Sequence, residues 1–201
     1  MKSIYLIGDS IRFGASHTSA YNFTSPGYER YVREKLRGTA NVFGPEENCR
    51  FAQYTLRFLH KWAGTVPAGQ IDVVHWNNGL WDAVRLFDDE PLTPIDVYVS
   101  FLERIHKRIG LLFPNAKIVF ALTTPVLEAK QSRIHGRRNS DIEAYNRAAA
   151  ELMQKLNVPV NDLYSLAAGF DDLCWADATH FSEKGCSALA DQVAAACMKL
   201  L

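Results

Sequence analysis

The sequence predicts an α/β domain in three layers, with helices on both faces of a five-stranded parallel sheet. Two observations predict it. Five short apolar runs alternate with longer stretches of helical periodicity, and no repeat, low-complexity tract or linker interrupts them. The 201 residues are 48% hydrophobic and 22% charged, the balance of one soluble globular domain over 1–201 that can bury a full core.

The first strand is read over 3–7, Ser-Ile-Tyr-Leu-Ile, a run suited to burial on both faces. Gly8 ends it, Asp9 and Ser10 follow, and Gly14 permits a second bend. A loop rich in Ser, Thr, Tyr and Asn covers 15–26 and includes His17. Helical character over 28–36 stops at Gly38, and a second strand covers 40–43. The polar segment 44–50, Gly-Pro-Glu-Glu-Asn-Cys-Arg, lies at the edge of the sheet where ligands bind, before a helix over 51–62 with Tyr54, Leu56, Leu59 and Trp62 inward. A third strand over 71–76 leads into Asn77-Asn78-Gly79-Leu80-Trp81-Asp82.

After an acidic loop over 88–92, Thr93 is expected to cap a helix with Pro94 at its first position. Val97, Phe101, Ile105, Ile109 and Leu112 form its core stripe. A fourth strand covers 117–122, and a long loop over 123–139 carries Lys130, Arg133, His135, Arg137 and Arg138. Ser140 is expected to cap a helix with Ile142, Tyr145, Leu152 and Leu156 on one side, and the fifth strand covers 158–160. Ser182 caps the last helix, striped by Cys186, Leu189, Val193, Cys197 and Leu200.

Charge and composition exclude several classes of function. Lys+Arg and Asp+Glu both number 22, which argues against a nucleic-acid partner or a polybasic membrane attachment. No apolar run approaches the roughly 18 residues of a spanning helix. Met1-Lys2 leads straight into the first strand without a signal-peptide core, so a cytoplasmic protein is expected. Cys49, Cys174, Cys186 and Cys197 lack metal-ligand spacing, and a chain of this length needs no disulfide framework. No metal or cofactor is expected.

The chemistry concentrates at the two ends. Ser10 stands just past the C-terminal end of the first strand, where open parallel sheets bind ligands. Taken alone, Asp9-Ser10 reads equally as a helix-capping turn. Near the other end, Asp177 and His180 lie three apart, so on one helix-like turn they share a face. A carboxylate beside an imidazole accepts the Nδ1 proton and leaves Nε2 free as a base for a serine. There is no Gly-x-Ser-x-Gly elbow of the α/β-hydrolase kind.

Together, Gly8-Asp9-Ser10 and Asp177-x-x-His180-x-Ser182 resemble the SGNH (GDSL-type) hydrolase family, and the resemblance spans nearly the whole chain. It implies the flavodoxin-like strand order 2-1-3-4-5. It also implies Ser10 as nucleophile, His180 as general acid/base and Asp177 as its orienter. The family's oxyanion hole uses the serine N–H, a glycine N–H after the second strand, and the asparagine of a Gly-x-Asn-Asp motif after the third. Here Gly79-Leu80-Trp81-Asp82 falls on that motif, with Trp81 in the asparagine's place. Asn77 and Asn78 stand just upstream; strand alternation sends them to opposite faces, and Asn78, nearer the turn, is the favoured donor. Gly44 is close to the second-strand glycine, but Asn48-Cys49-Arg50 fills its slot, which adds Asn48 to the candidate donors.

Asp9, Arg12, Arg50 and Trp81 are the nearest candidates for substrate contacts, the two arginines for an acyl group or an anion. Arg133, Arg137 and Arg138 lie at the same sheet edge and read either as a solvated face or as contacts for a sugar or carboxylate. His75 is expected as a hydrogen-bonded core residue, His60 and His106 as structural or solvated, and His17 and His135 as exposed loop residues that could line a pocket. The expected function is a serine esterase acting on small acyl esters, acetyl on carbohydrate, through an acyl-enzyme. The substrate is a small-molecule or carbohydrate ester. Two alternatives stand beside it: an acyltransferase using the same residues, and a glycan-binding module with a decayed site.

Overall fold

The computed structural model describes residues 1–15 and 25–201. His17 and most of the polar loop read over 15–26 lie outside the described residues. β1 (Lys2–Ile7) is followed by the single-turn α1 (Ser10–Phe13) and by α2 (Tyr28–Lys35). β2 (Ala40–Phe43), α3 (Ala52–Ala63) and β3 (Val73–Trp76) come next, then the two-residue β4 (Arg85–Leu86) and the long α4 (Ile95–Leu112). β5 (Lys117–Ala121), the short β6 (His135–Gly136), α5 (Asn139–Lys155), β7 (Val160–Asn161), α6 (Leu163–Ala168) and α7 (Glu183–Met198) follow.

The main sheet runs β2-β1-β3-β5-β7, every neighbouring pair parallel. Numbered among themselves, its five strands follow the expected order 2-1-3-4-5. The step from β1 to β2 crosses the sheet one way and each later step crosses it the other way. Right-handed crossovers therefore put α2 on one face and α3, α4 and α5 on the opposite one. The packing agrees: α2 lies against α7, α3 against α4, and α4 against α5. Covered on both sides, β3 is buried throughout and β1 from Ser3 onward.

Several local expectations shift for identifiable reasons. The fifth strand forms at Val160–Asn161 rather than 158–160, because Pro159 has no N–H and offers only its carbonyl, to Phe120 N–H at 3.0 Å. Thr93 does not cap α4, where Pro94 is the N-cap without a capping side chain; its hydroxyl bonds Asp82 instead. The buried face of α4 is Tyr98, Leu102, Ile105 and Ile109, leaving Val97 exposed, because the Tyr98 hydroxyl reaches the Asn78 carbonyl at 2.9 Å. Ser140 lies inside α5, whose first N–H, that of Asn139, is bound by the Glu128 carboxylate at 2.8 Å.

The stretch 123–139 is not all loop. β6 pairs antiparallel with β4, and Arg85 forks onto the Asp141 carboxylate at 2.7 and 3.0 Å, tying this ribbon to α5. Strands of two residues are too short to show alternation in a sequence. Among the described residues, no helix is long and apolar enough to cross a membrane.

Candidate active site

β1 and β3 end in register, Ile7 beside Trp76, so the segments that follow them meet at one edge of the sheet. Past Gly8 the chain turns directly into α1, with Ser10 as its first residue. Asp9 makes that turn: its Oδ1 accepts the Ile11 N–H at 2.9 Å, and its carbonyl accepts those of Arg12 and Phe13 at 3.1 and 3.0 Å. The Ser10 N–H has no intrahelical acceptor, as befits the first residue of a helix.

The partner turn comes from the other end of the chain. Trp175 and Phe181 bridge antiparallel, and Ala176 N–H donates to the His180 carbonyl at 2.8 Å. Inside this turn Asp177 Oδ1 accepts the backbone N–H groups of Thr179, at 2.7 Å, and of His180. The His180 ring places Nδ1 3.0 Å from Asp177 Oδ2 and Nε2 2.9 Å from Ser10 Oγ. Burial pushes the Asp177 carboxyl up, but hydrogen bonds from the His180 ring and from the backbone of His180 and Thr179 outweigh it and hold it below its ordinary value. With Nδ1–H committed to that carboxylate, the Nε2 lone pair faces the serine hydroxyl. The turn is braced from outside by Gln131, whose amide donates to Ala178 O at 2.7 Å and Thr179 Oγ1 at 3.1 Å. Nothing in the sequence around Gln131 announces that role.

On the opposite wall the expected donors are redistributed. Asn78 is fully buried and spends both amide hydrogens, on Arg50 O at 3.1 Å and Thr55 Oγ1 at 3.0 Å, while its Oδ1 accepts the Trp76 indole N–H at 2.8 Å. That corrects the favoured expectation: strand alternation turns Asn78 toward α3 and the 48–51 segment, which supply its acceptors. Asn77 turns the other way, and its amide locks β3 to Ala121 O at 2.8 Å, with Thr123 Oγ1 at 3.4 Å.

Asn48 sits on a segment pinned beside the turn that carries Ser10, since the Cys49 N–H donates to Gly8 O at 3.2 Å. Its Oδ1 accepts the Arg50 N–H at 2.8 Å, which fixes the amide plane. Among the described residues its Nδ2 meets no acceptor. Arg50 takes a left-handed backbone, φ 53°, at the end of the 48–50 segment. Its exposed side chain lies over the Tyr54 ring, 4.6 Å from the centroid.

Two further expectations are corrected. Arg12 is not a substrate contact: its guanidinium is buried and binds the Glu29 carboxylate, Pro45 O at 3.0 Å, Gly8 O at 3.2 Å and Glu47 O. Two positions along a helical turn rotate a side chain by about 200°, which aims Arg12 away from Ser10. Asp9 is buried as the cap of α1 and is likewise closed to a substrate. Trp81 stays half-buried, its ring edge-on to His135 at 6.4 Å. Arg137 is buried and donates to Leu80 O at 2.6 Å, whereas Arg133 and Arg138 share Asp88 on the surface.

Asp82 went unassigned in the sequence, although it ends the Gly79-x-x-Asp82 match. It is buried, and both its oxygens lie 3.1 Å from the Ala52 N–H at the start of α3. Burial pushes this carboxyl up to about 7, against hydrogen bonds from Ala52 and Thr93 that pull it down. His75 is a buried core residue, its Nε2 3.1 Å from the Asn161 amide.

Known proteins resemble the chain at three levels. It matches the model of the GDSL-like lipase/acylhydrolase family over residues 6–188. Over 113 residues it is 29% identical to the GDSL esterase/lipase CPRD49 of Arabidopsis thaliana, a match covering 51% of this chain and 44%, less than half, of that relative. A solved lipase/acylhydrolase from Enterococcus faecalis shares the fold with a TM-score of 0.75 at 22% identity, covering 98% of this chain and 95% of the other. Est24, a carbohydrate acetylesterase from Sinorhizobium meliloti, does so with a TM-score of 0.70 at 14% identity, covering 100% of both chains.

Proposed function

We infer an activity for a chain that belongs to the GDSL-like lipase/acylhydrolase family. It is a serine esterase that hydrolyses small acyl esters, acetyl esters of carbohydrate above all. The observation that carries the reading is the bonded row Asp177–His180–Ser10, with 3.0 Å from carboxylate to Nδ1 and 2.9 Å from Nε2 to Oγ. Serine is a weak nucleophile until an adjacent base takes its proton, and the row supplies that base with its tautomer fixed.

In this reading Ser10 Oγ attacks the acyl carbon as His180 Nε2 takes its proton, and collapse of the tetrahedral adduct expels the alcohol with that proton. Water then attacks the acyl-enzyme by the same route and regenerates Ser10. The oxyanion is held by the Ser10 N–H and by the Asn48 amide, whose Nδ2 is the uncommitted donor on the loop beside Gly8. The carbohydrate part of the reading is supported by the fold shared with a carbohydrate acetylesterase.

The test is turnover of p-nitrophenyl acetate together with labelling by a fluorophosphonate probe, followed by released acetate from a panel of acetylated sugars. Stoichiometric labelling of the wild type but not of Ser10→Ala is the expected result. A second reading, a glycan-holding module without turnover, draws on the committed Asn78 amide; it predicts neither labelling nor acetate release from any sugar.

A further inference from the structure

Five buried side-chain polar atoms among the described residues have no hydrogen-bond partner, and three of them line one small cavity: Asp9 Oδ2, Tyr28 Oη and Thr124 Oγ1. The cavity lies behind Ser10, walled by Asp9 and Ile11 on either side of the nucleophile, by Tyr28 from α2 and by the segment that follows β5. Its free volume is about 10 Å³, the size that admits a single water and nothing larger. Three polar partners are also the usual number for a buried water, whereas a void lined only by apolar atoms stays dry.

We propose that Asp9, Tyr28 and Thr124 hold one buried water behind Ser10, and that this bonded unit positions the turn carrying the nucleophile. Asp9 has two carboxyl oxygens with two tasks. Oδ1 caps α1 through the Ile11 N–H, and the water fixes Oδ2, so the plane of the carboxyl, and with it the first turn of α1, is held from both sides. Burial raises the Asp9 carboxyl although Ile11 N–H and the facing Arg137, His180 and Arg12 pull it the other way. Oδ1 is occupied as an acceptor, so Oδ2 is the oxygen left to bond the water. Asp9 is thus a positioning residue that never meets the substrate. The positioning half rests on Ser10 as nucleophile; the water does not.

A high-resolution crystal structure tests the water directly. The expected result is one ordered peak within hydrogen-bond distance of all three atoms, weakened or displaced in Thr124→Val, which keeps the shape and removes the hydroxyl. A cavity without density overturns the water. Kinetics with p-nitrophenyl acetate test the positioning. Asp9→Ala should lose about tenfold or more in kcat with KM nearly unchanged, because small misplacements of a nucleophile are costly. Asp9→Asn should restore most of that loss, since an amide both accepts from Ile11 and donates to a water. If the water is present but Asp9→Ala keeps wild-type kcat, or if Asp9→Asn is as impaired as Asp9→Ala, the positioning role falls. Should Asp9→Ala fail to fold, Thr124→Val carries the same test, with a several-fold loss in kcat expected and an unchanged kcat counting against it. Full activity in Ser10→Ala would remove the esterase reading while leaving the density at the cavity to be judged separately.

Discussion

Asp177 and His180 occupy one tight turn four residues long, and the bonds that orient them come largely from that turn itself. The facing wall, at 48–50 and 77–78, is assembled differently. The Asn77 and Asn78 amide N–H groups bond acceptors 23 to 46 residues away in the chain. A four-residue turn allows few arrangements, so residue types at fixed spacing almost determine its geometry. A wall built from several elements depends on which acceptors those elements bring, and the same asparagine can face a substrate or brace a loop. The difference teaches that the acid/base half of such a site is a local property of the chain, and the oxyanion half a property of the packing.

The largest effects should break the local half. Ser10→Ala and His180→Ala are each expected to lower kcat for p-nitrophenyl acetate by about 10⁴ or more, and the double variant should lose little further, because residues that act as a unit do not add. Full additivity in that double-mutant cycle would mean that the two do not share one proton transfer.

The next test separates the two asparagine positions. Removing an oxyanion donor costs on the order of 10² to 10³ in kcat, so Asn48→Ala should fall in or below that range with KM little changed. Asn78→Ala should instead cost about 1–3 kcal/mol of stability, read from urea unfolding, because it strips buried partners of their hydrogen bonds. A collapse of kcat in Asn78→Ala at unchanged stability would return that residue to the catalytic wall.

A smaller effect concerns Asp82, which braces the same wall from below. Its carboxyl is raised to about 7 in the fold, so the native state binds the proton more tightly than the unfolded chain does. Stability from this group is therefore full below the ordinary carboxylate range and is lost as pH rises toward about 7. Asp82→Asn, which keeps an acceptor for Ala52, should flatten the fall in melting temperature between about pH 4 and 7, a difference on the order of a few degrees. Asp177 has the opposite sign: lowered in the fold, it stabilises above the ordinary carboxylate range and loses that contribution as pH falls through its folded value. An Asp82→Asn profile parallel to the wild type would show that the buried carboxyl does not titrate in that window.

The smallest effect is expected at the rim. Trp81→Ala should change KM for sugar esters by only a few-fold, because the ring is half in solvent and packs edge-on to His135.

The sheet was readable because its strands overlap short, largely apolar runs between turn residues, and crossover handedness leaves few ways to arrange them. The β4–β6 ribbon was not, for two residues carry no period. Within the site, Asp177 and His180 could be paired by spacing, and Ser10 was singled out only once the two end motifs together resembled the SGNH family. Arg12 could not be separated from Arg50 by sequence distance to Ser10: one is buried under the 44–49 loop and the other lies exposed on Tyr54. Only the rotation about α1 and the left-handed backbone at Arg50 distinguish them. Trp81 signalled that the Gly-x-Asn-Asp pattern is altered here, but where the displaced function went depended on the hydrogen bonds of Asn48 and Asn78.

The Arg12 guanidinium has a consequence for how the cleft fluctuates. The buried guanidinium joins the turn after β1, the partly exposed Glu29 carboxylate of α2 and the carbonyls of Pro45 and Glu47. Were the 44–49 segment to peel away by itself, the guanidinium would give up the Pro45 and Glu47 carbonyls together, so the two contacts break in one step. The segment therefore does not fray as an independent surface loop. Its amides and those of α1 should exchange hydrogen for deuterium at a common free energy, as one cooperative unit. A 44–49 segment that exchanges much faster than α1 would show that the Arg12 contacts do not tie the two together.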